Sequence, residues 1–279
     1  MTEAAVISGK VVVITGGARG IGLATARGLR DLGARVAIGD VDEPTVKESG
    51  AGLGLDVYGK LDVTDPESFS AFLDEVERQL GPIDVLINNA GIMPAGAFVD
   101  EPDRVTRRIL DINVYGVLLG SKLAAQRMVP RGRGHVVNIA SLAAETPTPG
   151  LATYCASKAA VLSLTEALRV EHRDTGVEFS AVLPTFTNTE LVAGTKGVKG
   201  FRNAEPAEIA AAVAGLLEKP RARVSVTRTA GALIALQKVL PRVVTEFLGR
   251  RFGQEHLFLD DVDQAARQAY ERRARGEND

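Results

Sequence analysis

Seven short apolar runs, most of them rich in β-branched residues, recur along the chain: Lys10 to Ile14, Arg35 to Gly39, Val57 to Leu61, Ile83 to Ile87, His135 to Ile139, Val177 to Leu183 and Arg223 to Val226. Runs with no polar alternate face read as strands covered on both sides, as a parallel sheet requires. The segments between them carry helical signals. Asp65-Pro66-Glu67 combines an N-cap, a proline at the first helical position and an acidic first turn, and it opens a helix to Leu80 that Gly81-Pro82 stops. The spacing predicts further helices from the Gly20-Ile21-Gly22 turn to about Gly33, from Asp103 to Val129, from Thr153 to His172 and from Glu205-Pro206 to Glu218. Strand and helix alternate with no internal repeat and no linker. The expected fold class is therefore α/β, one doubly wound domain over residues 1–279 with a parallel seven-stranded sheet and helices on both faces.

Past Val226 the pattern changes. Leu233, Leu236, Leu240, Val243, Val244, Phe247 and Leu248 recur at helical spacing, Lys238, Arg242, Arg250 and Arg251 are basic, and Pro241 kinks or restarts the helix. A helical C-terminal extension from about residue 225 is expected, its apolar face covering a pocket or a subunit contact, with a peripheral membrane contact as the alternative. Gln264 to Asp279 is charge-rich and expected to fray. Gly194 to Gly200, rich in glycine and lysine, reads as a mobile flap over a substrate.

Candidate chemistry collects where the predicted strands end. Thr15-Gly-Gly-Ala-Arg-Gly-Ile-Gly22 turns the first strand into a helix, and Gly16, Gly20 and Gly22 let the backbone approach a pyrophosphate at the helix N-terminus. Asp40 closes the second strand near the offset at which a carboxylate meets the adenosine ribose hydroxyls; it would repel a 2′-phosphate, which favours NAD over NADP. Arg19 is the one base beside the loop that could accept that phosphate. The fourth strand runs into Asn88-Asn89-Ala90-Gly91, small and amide residues that allow a flat ligand to approach. Asn113, inside an apolar helical stretch, is either a satisfied core amide or part of a hydrogen-bonded relay. Ser141 follows the fifth strand, and thirteen residues later Tyr154 and Lys158 stand four apart, on one helix face. A nearby cation favours a phenolate; lowering a phenol by about three pH units takes roughly 4 kcal/mol.

Composition narrows the classes. With 279 residues and 45% hydrophobic content the chain can bury a substantial core. A formal net charge of -2, with acids and bases interspersed, gives no footprint for nucleic acid. The single Cys155 excludes an internal disulfide, and three scattered histidines offer no metal-ligand spacing. Met1 to Ser8 lacks the features of an export signal, and no run approaches the roughly eighteen apolar residues of a membrane span, so a cytoplasmic, metal-free protein is expected.

Taken in order, these motifs resemble those of the classical short-chain dehydrogenase/reductase family over about Lys10 to Thr189. The resemblance implies a Rossmann-type fold and hydride transfer between nicotinamide C4 and a carbinol or carbonyl carbon. It implies Tyr154 as general acid/base, Ser141 orienting the substrate oxygen, Lys158 binding the ribose and lowering the tyrosine pKa, and Asn113 holding a water in the proton path. Gly16, Gly20, Ile21 and Gly22 would cradle the pyrophosphate, with Asp62 and Val63 beside the adenine, Asn89 by the ribose and Thr189 near the carboxamide, and Arg19, Ala90, Gly91 and Thr187 would also belong to the cofactor site. One position departs: the family usually has glycine after the proline of the sixth strand, and here it is Thr185.

A looser similarity, in Tyr154 to Lys158, Pro184 to Thr189 and Leu233 to Phe252, is to retinol and 17β-hydroxysteroid dehydrogenases. Ile92, Met93, Leu142, Pro147, Phe186 and Leu191 could line a matching apolar pocket. The expectation is an NAD-dependent oxidoreductase for a secondary or lipophilic, steroid- or retinoid-like alcohol or ketone, working as a homodimer or homotetramer. An NADP-linked carbonyl reductase and a non-catalytic dinucleotide-sensing scaffold are the alternatives.

Overall fold

The computed structural model describes residues 6–195, 202–227, 258–259 and 262–277. All seven predicted strands form: β1 (Val11–Thr15), β2 (Arg35–Asp40), β3 (Val57–Lys60), β4 (Val85–Asn88), β5 (Gly134–Ile139), β6 (Val177–Leu183) and β7 (Arg223–Ser225). They pair in one parallel sheet in the order β3-β2-β1-β4-β5-β6-β7. The chain lays down three strands in one direction and then returns to the other side of β1, so the sheet is doubly wound and its switch point lies between β1 and β4. Every residue of β1 and β4 is buried, which is why these segments carry no polar face.

Helices cover both faces. On one, α1 (Gly20–Asp31) packs against α7 (Pro206–Glu218), with Leu29, Ile209, Val213 and Leu217 meeting Ile14, Ile38 and Ile87 of the sheet. On the other, Phe69, Leu73 and Val76 of α3 (Pro66–Leu80) and Met128 of α5 (Gly116–Met128) pack on Val13, Leu86 and Val136, with α6 (Ala152–Glu171) beside them. Asp65 caps α3 as expected, its carboxylate accepting the Glu67 N–H at 2.9 Å. Among the described residues no helix is long and apolar enough to cross a membrane.

Two helical features differ from the sequence reading. A short α2 (Glu43–Gly52) was not expected; Asp42 caps it by accepting the Thr45 N–H at 3.2 Å, but only Val46 and Gly50 are buried, too few to leave a period. The long helix expected from Asp103 to Val129 is interrupted. It runs as α4 (Asp103–Leu110), a π-helical turn at Asp111–Tyr115 and then α5. The wider turn inserts a residue without breaking the apolar pattern, so periodicity does not disclose it.

The largest correction concerns the chain's end. Gln264–Arg275 does not fray but forms α8, capped by Asp263 and closed by Gly276 at φ +69°. Its charges have partners. Arg267, 1% exposed, donates to the carbonyls of Met93 and Leu191, each at 2.6 Å, and pairs with Glu271. Arg104 and Arg108 of α4 take the last carbonyls of the helix, Arg275 O and Ala274 O, each at 3.0 Å. The described part of the expected flap is pinned too, since the Asp263 N–H donates to Gly194 O at 2.8 Å. Residues 196–200 of that flap and the amphipathic pattern from Leu233 to Phe252 lie outside the described residues.

Candidate functional site

The carboxyl ends of the strands open on a cleft of about 1180 Å³, and fifteen of the expected site residues from Gly16 to Thr189 line it, all but Gly22 and Asn113. At its β1 end Gly16 and Gly20 take positive φ, +64° and +56°. Only a glycine fits there. A Cβ on Gly16 would come within 2.8 Å of the Ala90 backbone, and one on Gly22 within 2.2 Å of Gly16 O. Arg19, in the N-cap position of α1, offers no side-chain cap, so the helix's first N–H groups remain for an anion. Asn89 holds this turn in place, its amide donating to Thr15 O and Gly16 O at 2.9 Å, while Thr15 Oγ1 accepts the Asn89 and Ala90 N–H groups at 3.0 Å. Its side chain thus braces the glycine turn, where the resemblance placed it by a ribose.

Beyond β2 the cleft is acidic. Asp40 accepts the Ala18 and Asp42 N–H groups at 3.2 and 3.1 Å, and burial nevertheless raises its pKa above the ordinary carboxylate value. Arg19 is already engaged: its guanidinium meets the Asp42 carboxylate at 2.5 Å and the Thr45 hydroxyl at 2.9 Å. Asp62 folds over Thr64, accepting both its N–H and its hydroxyl, and Val63 packs where a Cβ on Gly116 would stand 2.8 Å away. Across the mouth Thr189 faces the glycine turn, 3.3 Å from where a Gly20 Cβ would lie, whereas Thr187 turns back to Thr185 O. Thr185 has no positive φ, so its backbone does not require the glycine usual in the family.

The reactive groups converge at the β5 end. Tyr154 and Lys158, one turn apart in α6, are both buried, with the ammonium 5.7 Å from the phenol ring centroid. Ser141 stands beside the Tyr154 hydroxyl, close enough to draw its pKa down, and its oxygen accepts the Ala143 N–H at 3.1 Å. Lys158 donates to Ile139 O at 2.9 Å. Burial pushes the Tyr154 phenol up to about 12, with Ser141 pulling the other way, and pushes Lys158 down to about 8. In the chain alone, without a cofactor, burial of the phenol outweighs the pull of Ser141, so the expected lowering does not come from these groups by themselves. Asn113, fully buried in the π-turn, bonds the Ile92 backbone at both ends, 2.8 Å at the N–H and 2.9 Å at the carbonyl, and donates to Ser157. It fixes the loop after β4. Gly91 lies between it and Lys158, its absent Cβ 3.3 Å from Asn113 Oδ1 and 3.4 Å from Lys158 Nζ.

The other half of the cleft is apolar, and Ile92, Met93, Leu142, Pro147, Phe186 and Leu191 all line it as expected. Phe258 adds a ring 5.7 Å from that of Phe186. Tyr270 of α8 lines the same wall and accepts the Met93 N–H at 2.7 Å. The sequence reading missed it. The available signal was faint, an aromatic and an alanine one helical turn apart, Tyr270 and Ala274, within a charged tail. Among the described residues no cluster of histidine, cysteine or carboxylate could hold a metal.

Residues 10–197 match the sequence profile of the family described as short chain dehydrogenase. The chain belongs to that family. The probable oxidoreductase EphD of Mycobacterium tuberculosis is 34% identical to this short-chain dehydrogenase over 258 residues, which are 84% of this chain and 44% of EphD. The chain thus spans less than half the length of that relative. The 2,5-dichloro-2,5-cyclohexadiene-1,4-diol dehydrogenase LinX of Sphingobium indicum is 37% identical over 191 residues, 67% of this chain and 76% of LinX. Among solved structures, an NAD+-bound xylitol dehydrogenase superposes with a TM-score of 0.72 at 27% identity, covering 79% of this chain and 98% of that one.

Proposed function

We propose that this short-chain dehydrogenase interconverts a secondary alcohol and its ketone, using NAD, on a substrate whose frame is largely apolar. The observation that carries the reading is the meeting of Ser141, Tyr154 and Lys158 beside a glycine turn built for a pyrophosphate. Bound nicotinamide supplies the carbon that takes or gives the hydride and, when oxidised, a positive ring. Tyr154 takes the hydroxyl proton in oxidation and returns it in reduction. Ser141 donates to the substrate oxygen as charge develops on it. Lys158, fixed on Ile139 O, holds the ribose and faces Tyr154 with its charge. Gly16, Gly20, Ile21 and Gly22 would cradle the pyrophosphate, Asp62 and Val63 would flank the adenine, Ala90 and Gly91 would lie along the ribose, and Thr187 and Thr189 would lie toward the nicotinamide end. Asn113 acts by positioning Ile92 and Gly91.

The apolar wall from Ile92 to Leu191 supports a lipophilic frame, up to the steroid- or retinoid-like size suggested by the sequence. The names of LinX and xylitol dehydrogenase point instead to smaller diols and polyols. Exposed Leu110, Tyr115 and Leu118 around the π-turn support a homodimer or homotetramer.

NAD is preferred over NADP because Asp40, Asp42 and Glu43 line the adenosine end, while Asp42 already neutralises Arg19. A 2′-phosphate there would face these carboxylates, with the Arg19 guanidinium already paired to Asp42 and Lys60 left as a nearby cation. Initial rates with the two cofactors test this. The wild type is expected to favour NAD by about a hundredfold in kcat/KM, and Asp40→Ala to narrow the preference by about tenfold, the effect of one close like charge. Equal use of NADP by the wild type would overturn the assignment.

A further inference from the structure

The phenol of Tyr270 has an unusual setting. Its helix is fixed from three sides: Arg267 grips Met93 O and Leu191 O, Arg275 donates to Ala95 O at 2.9 Å, and Glu271 accepts the Ala95 N–H at 3.1 Å. The Arg267 guanidinium lies 5.0 Å over the ring centroid and holds the ring's plane. The phenol oxygen accepts the Met93 N–H on one side. Conjugation keeps the O–H bond in the ring plane, so its proton points to the other side. Among the described residues no acceptor takes it.

Its surroundings make that proton conspicuous. Tyr270 is buried, and the cleft it lines is walled also by Met93, Leu151, Tyr154 and Leu191. A buried hydroxyl donor in an apolar wall needs an acceptor, and the cleft it lines is where the substrate lies. Tyr270 also stands close enough to Tyr154 to feel its charge, and burial raises its own pKa, so it stays a protonated donor.

We infer that Tyr270 donates a hydrogen bond to a second oxygen on the substrate, near the reacting carbinol, and so selects a diol or hydroxy-ketone over a simple alcohol. This rests on the alcohol-oxidising reading above and names the substrate class for the same site. An apolar wall by itself discriminates weakly against an added or missing hydroxyl, whereas one placed donor discriminates strongly, because without its acceptor it stays unpaired.

The test uses the full chain with NAD and three probes: cyclohexanol and its vicinal and para diols. The wild type is expected to turn over at least one diol with kcat/KM about tenfold or more above cyclohexanol. Tyr270→Phe keeps the ring and removes the hydroxyl; it is expected to abolish that preference, so that kcat/KM for the favoured diol falls to within about threefold of that for cyclohexanol. Tyr270→His, which restores a ring N–H, recovers part of the preference and guards against a folding defect in the Phe variant, with NADH binding measured for both. A uniform loss on all three probes would mean that Tyr270 only braces the Met93 loop, and the inference fails while alcohol oxidation stands. A wild type inert on every probe while binding NADH removes both.

Discussion

Tyr154→Phe lowers kcat/KM for alcohol oxidation by roughly 10³-fold while NADH affinity stays within about twofold. The phenyl ring keeps the packing of Tyr154 against Met93 and Leu151, so the fold has no reason to yield. What disappears is the phenol beside Ser141 that would carry the hydroxyl proton away. The pH profile follows from the same position. Oxidation needs the phenolate, and burial drives the phenol up to about 12 in the chain alone, so kcat/KM rises with pH across the accessible alkaline range and the slope vanishes in the Phe variant. The positive ring of an oxidised cofactor, and the Lys158 ammonium once it faces a ribose, draw the apparent value down. Turnover within about tenfold of wild type in the Phe variant would remove Tyr154 from the chemistry.

Arg267→Ala lowers unfolding stability by about 3 kcal/mol and raises the substrate KM about tenfold, with NADH affinity within about threefold. Arg267 is 1% exposed and joins three stretches far apart in sequence: α8 itself, the loop after β4 at Met93, and the loop after β6 at Leu191 and Ala193. Removing it leaves the Met93, Leu191 and Ala193 carbonyls without that donor and Glu271 with Arg275 as its remaining ionic partner. The loss falls on the apolar half of the cleft, because the glycine turn and Asp40 hang on β1 and β2 and do not touch α8. Arg267→Lys recovers little, since a point ammonium cannot reach carbonyls on two loops at once. Thermal melting and a split of KM from kcat check this together; an unchanged KM would show that α8 does not shape the substrate pocket.

The legible part of this protein was the part written locally. Strands buried on both faces must be continuous apolar runs, so β1 to β7 stand within two residues of their expected limits. Gly16, Gly20 and Gly22 were recognisable because backbone at positive φ, or within van der Waals distance of another backbone, admits no Cβ. The spacing of four between Tyr154 and Lys158 placed both on one helix face. What stayed hidden depends on contacts across long sequence separations. Nothing near Arg267 indicates that Met93 O will receive it, and a tail of alternating charges looks solvated until those charges find carbonyls and each other. The π-turn at Asp111–Tyr115 is silent for another reason: Asn113 sits in an apolar run whether the turn is α or π, and only its bonds to Ile92 show what the extra residue achieves. The burial of the Tyr154 phenol was hidden too, because a spacing gives the direction of a neighbour's charge but not the desolvation that opposes it.

Hydride transfer itself is open to direct observation. A secondary alcohol deuterated at its carbinol carbon, such as a cyclohexanediol, is incubated with NAD and the full chain, and the reduced cofactor is examined by proton NMR. The account predicts that one deuterium appears at nicotinamide C4, on a single face of the ring, with Tyr154→Phe giving none in the same time. Reduced cofactor without deuterium, or deuterium transfer undiminished in the Phe variant, would contradict it.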